Sequence, residues 1–160
     1  MRTLQQPLFT PETEWVPPHR LPDLSSHSEI AIDLETRDPN LMTMGSGAVR
    51  RDGEIVGIAV AVEGWSGYFP IAHEGGGNMD RALVLDWFEE VLHTNATKIF
   101  HNAMYDVSWI RSLGFQIRGG IVDTMIAASL IDENRFSYTL DSIGKDYIGM
   151  RKNENLLKEA

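Results

Sequence analysis

Ile30-Ala31-Ile32-Asp33-Leu34-Glu35-Thr36 decides the fold, because an apolar run ends there in two carboxylates one residue apart. The run reads as a strand from about Glu29 to Glu35. Side chains at i and i+2 of a strand share a face, so Asp33 and Glu35 point the same way from a hydrophobic edge. Two carboxylates held that close repel one another. A hard divalent cation such as Mg²⁺ or Mn²⁺ between them removes the repulsion, since such ions take oxygen ligands. The plainer reading is an exposed strand end with two solvated acids.

Working outward, Lys98-Ile99-Phe100-His101-Asn102 reads as a short strand that runs into a helix opening Asn102-Ala103-Met104-Tyr105-Asp106-Val107-Ser108-Trp109. Asn102, Asp106 and Trp109 fall along one helical face, with Ala103, Val107 and Ile110 as the neighbouring apolar stripe. A third carboxylate is thereby displayed beside an amide and aromatic rings. In the plainer reading, Asn102 is an N-cap, Asp106 is solvated, and Tyr105 and Trp109 pack.

Asp-x-Glu-Thr on a first strand, followed some seventy residues later by Asn-x-x-Tyr-Asp at a helix start, resembles the first two motifs of the DEDD 3′-to-5′ exonucleases. Within that superfamily the chain looks most like the proofreading domain of family A DNA polymerases, of the kind encoded by bacteriophages. The resemblance runs from about Glu29 to the C-terminus. Weaker marks are Val122-Asp123-Thr124-Met125 and Leu140-Asp141-Ser142-Ile143, each at a helix start. The family's third motif, a Tyr or His followed four residues later by a fourth catalytic Asp, has no match after these helices. The only such pairing is His19 with Asp23, which precedes the first motif and contains Pro22, so no catalytic helix can be built on it.

The resemblance implies two-metal phosphodiester hydrolysis with Mg²⁺ or Mn²⁺, two ions in all. Asp33 would touch both ions, Glu35 would help to hold the one carrying the nucleophile, and Asp106 would ligate the other. Thr36, Asn102 and Tyr105 are candidates for contacts with the terminal nucleotide, and Leu41 or Met42 for packing against its base. A frayed single-stranded 3′ end would be the substrate, with apolar and aromatic contacts supplying affinity. In the family a tyrosine of the third motif orients the attacking water.

Composition sets the frame. A chain of 160 residues, 42% hydrophobic, can bury one respectable core but not two domains. It has no cysteine, which excludes disulfides and Cys-ligated metal sites. No signal-peptide run and no membrane-length apolar run occurs, so a cytoplasmic protein is expected, in the host cytoplasm if phage-encoded. The net charge of −9 argues against tight, salt-sensitive DNA binding. Acids that serve as metal ligands answer part of that objection, and a substrate delivered by a neighbouring polymerase domain answers more of it.

Residues 1–28 read as a Pro-rich, extended arm with Trp15 and Leu21 as anchors, and residues 29–160 as an exonuclease-like domain incomplete at its C-terminus. After the first strand, residues 37–53 read as a loop closed by Asp52-Gly53, a hairpin turn signal. Residues 54–63 read as a strand covered on both faces, and residues 65–72 as its antiparallel partner. His73-Glu74-Gly75-Gly76-Gly77-Asn78 lacks the ending of a phosphate loop and reads as a flexible connection. Asp80 caps a helix carrying Val84, Trp87, Phe88, Val91 and Leu92, and a surface His93 lies near its end. A short strand at Ile121-Val122 and helices at about 124–132 and 140–147 follow. Three antiparallel strands, then alternating helices and parallel strands, give an α/β ribonuclease H-like fold with Asp33 and Asn102 at the same sheet end. His101, with no second histidine to join it, is not expected to bind metal.

The segment 153–160 starts like a helix and carries no stop signal, so a fragment or a fourth carboxylate from a downstream polypeptide is expected. The isolated chain should then have little or no exonuclease activity. Two alternatives stand beside this reading. One is a nucleic-acid-binding or polymerase-associated module that has lost its fourth ligand. The other is a ribonuclease H-type endonuclease, disfavoured because that family takes its second carboxylate from a helix.

Overall fold

The computed structural model describes residues 16–150. Its elements, in chain order, are β1 (Glu29–Arg37), α1 (Leu41–Met44), α2 (Gly47–Arg50), β2 (Glu54–Val62), β3 (Trp65–Pro70), α3 (Arg81–His93), β4 (Thr97–Phe100), α4 (Ala103–Ser112), β5 (Ile121–Asp123), α5 (Thr124–Ile131) and α6 (Leu140–Ile148). The sheet order is β3-β2-β1-β4-β5. β1, β2 and β3 are antiparallel neighbours, whereas β4 and β5 run parallel to β1. This is the ribonuclease H-like α/β arrangement expected from the order of elements.

Alternation in β1 sorts its side chains. Ile30, Ile32 and Leu34 are buried while Asp33 and Glu35 are exposed, the period of two that puts both acids on one face. The buried face joins Ile55, Ile58, Val60, Phe69 and Phe100 to Val84, Phe88, Val91 and Leu92 of α3 and Trp109 and Ile110 of α4. Burying side chains of this size is worth about 1.5–3 kcal/mol each, which makes this layer the main source of stability. Asp80 caps α3 by accepting from the Leu83 amide at 3.1 Å, and all five expected helix residues are buried. Leu21 packs against the core as expected, but Leu24 is the deeper anchor, and the Pro22 carbonyl accepts from the Trp87 indole at 2.7 Å. Trp15 and the segment 153–160 lie outside the described residues.

Four expectations need correction. β1 continues to Arg37, past an irregularity between Glu35 and Thr36. The connection from β1 to β2 holds two helical turns, and Asp52-Gly53 makes no tight hairpin. Instead the Asp52 carboxylate accepts from Arg50 and Asn40, and Asp38 accepts from the Gly47 amide. β2 is buried on one face only. Its other apolar face, through Ala59 and Ala61, lines an open trough of about 540 Å³ with Ala31, Gly67 and Ile99. The segment His73 to Asn78 is tied at its base, where Asn78 accepts from the His73 amide and donates to the His73 carbonyl.

Lys98 is fully buried in β4, and its ammonium donates to the Thr94, Ala96 and Arg118 carbonyls and to the Thr94 hydroxyl. Burial pushes it below the usual lysine range. Four acceptors around one cation join the end of α3 to the approach to β5. Among the described residues no helix is long and apolar enough to cross a membrane.

Candidate active site

β4 ends at Phe100, while the neighbouring β1 runs on to Arg37. The strand edge left beyond β4 needs a partner, because a buried backbone N–H without one is costly. Asp106, 3% exposed on α4, fills that place: its Oδ1 accepts from the Leu34 amide at 3.0 Å. Leu34 lies between Asp33 and Glu35, so this bond fixes α4 against the acidic end of β1. Burial, reinforced by the charges of Asp33 and Asp123, pushes the Asp106 carboxyl up to about 7 despite the Leu34 bond. Asp106 is therefore buried, not solvated. Its charged form is costly unless a cation lies near it.

Asn102 makes the turn from β4 into α4 with φ of 66°, in the left-handed region that asparagine tolerates better than most residues. It occupies the N-cap position, but its side chain makes no capping bond. The capping is done by Asp123, at the end of β5, which accepts from the amides of Asn102, Ala103 and Met125 at 3.1, 2.8 and 2.9 Å. Burial pushes the Asp123 carboxyl up, but the bonds from Ala103, Asn102 and Met125 outweigh it and hold the group below the usual range. With its oxygens taken by amides, Asp123 is a structural acid. Asp146 is paired with Arg135 at 2.7 Å.

Of the residues singled out from the sequence, the fold brings Asp33, Glu35 and Asp106 to one end of the sheet. It also joins two more, since Thr36 Oγ1 and Tyr105 Oη hydrogen-bond at 2.6 Å. Leu41 and Met42 lie on α1, in the connection after β1, 37% and 93% exposed. Among the described residues, no group of three or more carboxylate or imidazole side chains is gathered closely enough to form a ready cation cage. The groups brought together are all oxygen donors, and the Asp106 carboxyl is raised by burial first and by the charges of Asp33 and Asp123 second.

One residue on the face of the carboxylates was missed. Tyr68 of β3 pairs with Ala59, which pairs with Asp33, so the three stand in one row across the sheet. Burial, then the charges of Glu35 and Asp33, push the Tyr68 phenol up to about 12. Its hydroxyl is hydrogen-bonded to His73 Nε2. The available signal was Gly57, alone in an apolar strand, which marks a close approach by something else. His101 bonds Thr124 through Nδ1 at 2.9 Å and lines the trough together with Asp33.

This sheet order, with carboxylates on the central strand and a further acid on the helix after β4, is that of a ribonuclease H-like domain. A family profile described as 3′-5′ exonuclease matches residues 20–159, and the chain belongs to that family, the exonuclease domain of family A DNA polymerases. It is 37% identical over 168 residues to a DNA-directed DNA polymerase of Pseudomonas phage M6, covering 100% of this chain and 25% of the relative. It is 29% identical over 125 residues to DNA polymerase I of Borreliella burgdorferi, covering 78% of this chain and 13% of the relative. The chain thus spans about a quarter or less of these relatives. Among solved structures, the Aedes aegypti Nibbler EXO domain superposes with a TM-score of 0.61 at 15% identity, covering 86% of this chain and 66% of that one. Brucella melitensis NrnC with bound Mg²⁺ gives 0.59 at 19% identity, covering 81% and 58%. Those two likenesses speak for the fold.

Proposed function

We propose that this exonuclease domain is of the DEDD type, that it hydrolyses the 3′-terminal phosphodiester of DNA with Mg²⁺ or Mn²⁺, and that it proofreads for a DNA polymerase. The observation that carries the reading is the bond from the Leu34 amide to Asp106, because it holds the third carboxylate beside Asp33 and Glu35. Bound divalent cations would activate water and stabilise the leaving oxygen. Asp33, Glu35 and Asp106 are the residues that would hold them.

The remaining tasks fall to the chain's own groups. In hydrolysis a water oxygen bonds to phosphorus, the bond from phosphorus to the penultimate 3′ oxygen breaks, and that oxygen takes a proton. The products are a nucleoside 5′-monophosphate and a strand shorter by one. The Thr36–Tyr105 pair, next to Glu35 in sequence and bonded across to α4, is placed to orient the terminal sugar or phosphate. Asn102 and the exposed Leu41 and Met42 remain candidates for contacts with the nucleotide and its base.

The expected partners are a frayed 3′ end and a polymerase domain of the same polypeptide or its downstream neighbour. Support comes from the length of the relatives and from the surface of α5 and α6, where Leu130, Ile131, Leu140 and Ile148 are more than half exposed. The phage relative supports a location in the host cytoplasm as part of this proposal. The proposed organisation is an arm over residues 1–28 and an exonuclease domain over 29–160, with Pro22 and Leu24 of the arm packed on the domain.

The test is a fusion that appends to residue 160 the segment following the aligned region in the phage M6 polymerase. A 5′-labelled single strand should be shortened one nucleotide at a time in Mg²⁺, and Asp33→Ala should abolish the shortening. Internal cuts would favour the endonuclease alternative. Binding without cleavage would favour the non-catalytic module.

A further inference from the structure

Arg37 closes the strand that carries the two acids. The slip in register beyond Glu35 adds Val56 to β2, not to β1, so β1 keeps its alternation and Arg37 follows Asp33 and Glu35 onto the exposed face. Its guanidinium is held by two carboxylates. Nη2 donates to Glu54, its neighbour across the sheet, and Nη1 donates to Glu74 at 2.6 Å. Glu74 belongs to the loop from His73 to Asn78, which reaches the same face, since His73 bonds the phenol of Tyr68 and that ring lies over Gly57, opposite Glu35. Asn78 pins the loop at its base. At the tip, Gly76 and Gly77 have φ of 86° and 69°, with nothing within 4 Å of where a Cβ would stand.

Exposure decides what this pair can do. Arg50 is committed, because its side chain is 19% exposed and that of its partner Asp38 only 2%. The Arg37 side chain is 42% exposed and that of Glu74 81%, and an ion pair so open to water is held weakly, so another anion can take the place of Glu74 at little cost. Two residues beyond Glu35, Arg37 stands about 7 Å further along the strand, of the order of one nucleotide of an extended chain. The 3′-terminal nucleotide has a single phosphate, the scissile one, so the next phosphate lies on its 5′ side. A guanidinium takes a phosphate through two parallel N–H bonds, and in a chain of net charge −9 a cation on the acids' own strand is where that contact can be made. We propose that Arg37 binds the phosphate on the 5′ side of the scissile one, and that Glu74 occupies that phosphate's place until a strand displaces it. The assignment rests on the exonuclease reading and adds to it a second phosphate site with its own internal competitor.

Two thymidine oligonucleotides separate the sites: TpT carries only the scissile phosphate, and TpTpT carries the next one as well. Calorimetry in Mg²⁺ on residues 1–160 should give about tenfold weaker binding of TpTpT for Arg37→Gln, the size of one charge-assisted contact, and unchanged binding of TpT. The logarithmic salt dependence of TpTpT binding should become shallower by roughly 0.7, one phosphate's share. Glu74→Gln should bind TpTpT about threefold more tightly than the parent and TpT alike, a gain that loss of a merely structural ion pair would not produce. Equal binding of TpTpT by Arg37→Gln and the parent, or an equal loss of TpT, would overturn the role of Arg37. Weaker or unchanged binding of TpTpT by Glu74→Gln would overturn that of Glu74. Asp33→Ala reports on the exonuclease reading itself. If it binds TpT as the parent does, or the parent does not bind TpT, that reading is wrong and this assignment falls with it. If it abolishes binding of TpT while Arg37→Gln matches the parent on TpTpT, only the second phosphate site is overturned.

Discussion

The Leu34 amide donates to Asp106 Oδ1 at 3.0 Å, across 72 residues of sequence. One short bond joins the strand that carries two acids to the helix that carries the third. It also buries a carboxyl whose ordinary value of 3.8 rises to about 7.

That rise has a stability consequence with a definite sign. Between about pH 4 and pH 7 the folded Asp106 keeps a proton that the unfolded chain has lost, so stability falls as pH increases across this window. Asp106→Asn keeps an acceptor for the Leu34 amide and removes the charge. In chelator it should raise the melting temperature by ~5 °C at pH 8 and change it little at pH 4. Thermal scans at both values check this, and an equal shift at both would contradict it.

Lys98 should matter as much to the fold as any apolar residue. Lys98→Met fills the same space but leaves the Thr94, Ala96 and Arg118 acceptors without their donor, which should cost roughly 3 kcal/mol. Urea unfolding would measure it; a loss below about 1 kcal/mol would mean that water replaces the ammonium.

Selectivity should follow from the demand for an unpaired 3′ end. The fused, active chain should shorten single-stranded and 3′-mismatched DNA faster than matched duplex, since unpairing otherwise draws on binding energy. Degradation of closed circular DNA at a comparable rate would indicate an endonuclease.

Much of this was legible because period-two and period-3.6 patterns survive wherever one face is buried. Ile30, Ile32 and Leu34 alternate with exposed acids, and Val84, Trp87, Phe88, Val91 and Leu92 are buried at helical spacing. What was not legible depends on contacts between distant segments. Lys98 reads as a polar strand residue until the Arg118 carbonyl is brought to it. Asp123 reads as a cap of its own helix, which it is, but it also caps α4 from another strand. The open face of β2 has the same apolar letters as a covered one, and only its exposure separates them. Tyr68 and His73 sit in segments read for their backbone, and only Gly57 signalled that a ring lies over β2.

Residues 1–160 alone should be far less active than a version extended by a helix bearing Tyr-x-x-x-Asp, because two cations around one phosphate need several anionic ligands at fixed distances. Asp123 is committed to amides and Asp146 to Arg135, which leaves neither to complete the set. Initial rates on a single-stranded oligonucleotide compare the two proteins. Equal rates, lost on Asp106→Ala, would show that an acid within this chain already completes the site.

The central claim is that Asp33, Glu35 and Asp106 hold the catalytic cations, and the Leu34 amide is its most direct reporter. In an NMR titration of residues 1–160 with Mg²⁺ at pH 8, the Leu34 amide should shift with a millimolar-scale midpoint, on the order expected for a sparse oxygen site. At pH 6 the midpoint should move to higher Mg²⁺, since the cation must displace the proton on Asp106. Asp33→Ala should leave the Leu34 resonance still; the same shift at the same midpoint in that variant would contradict the assignment of the site.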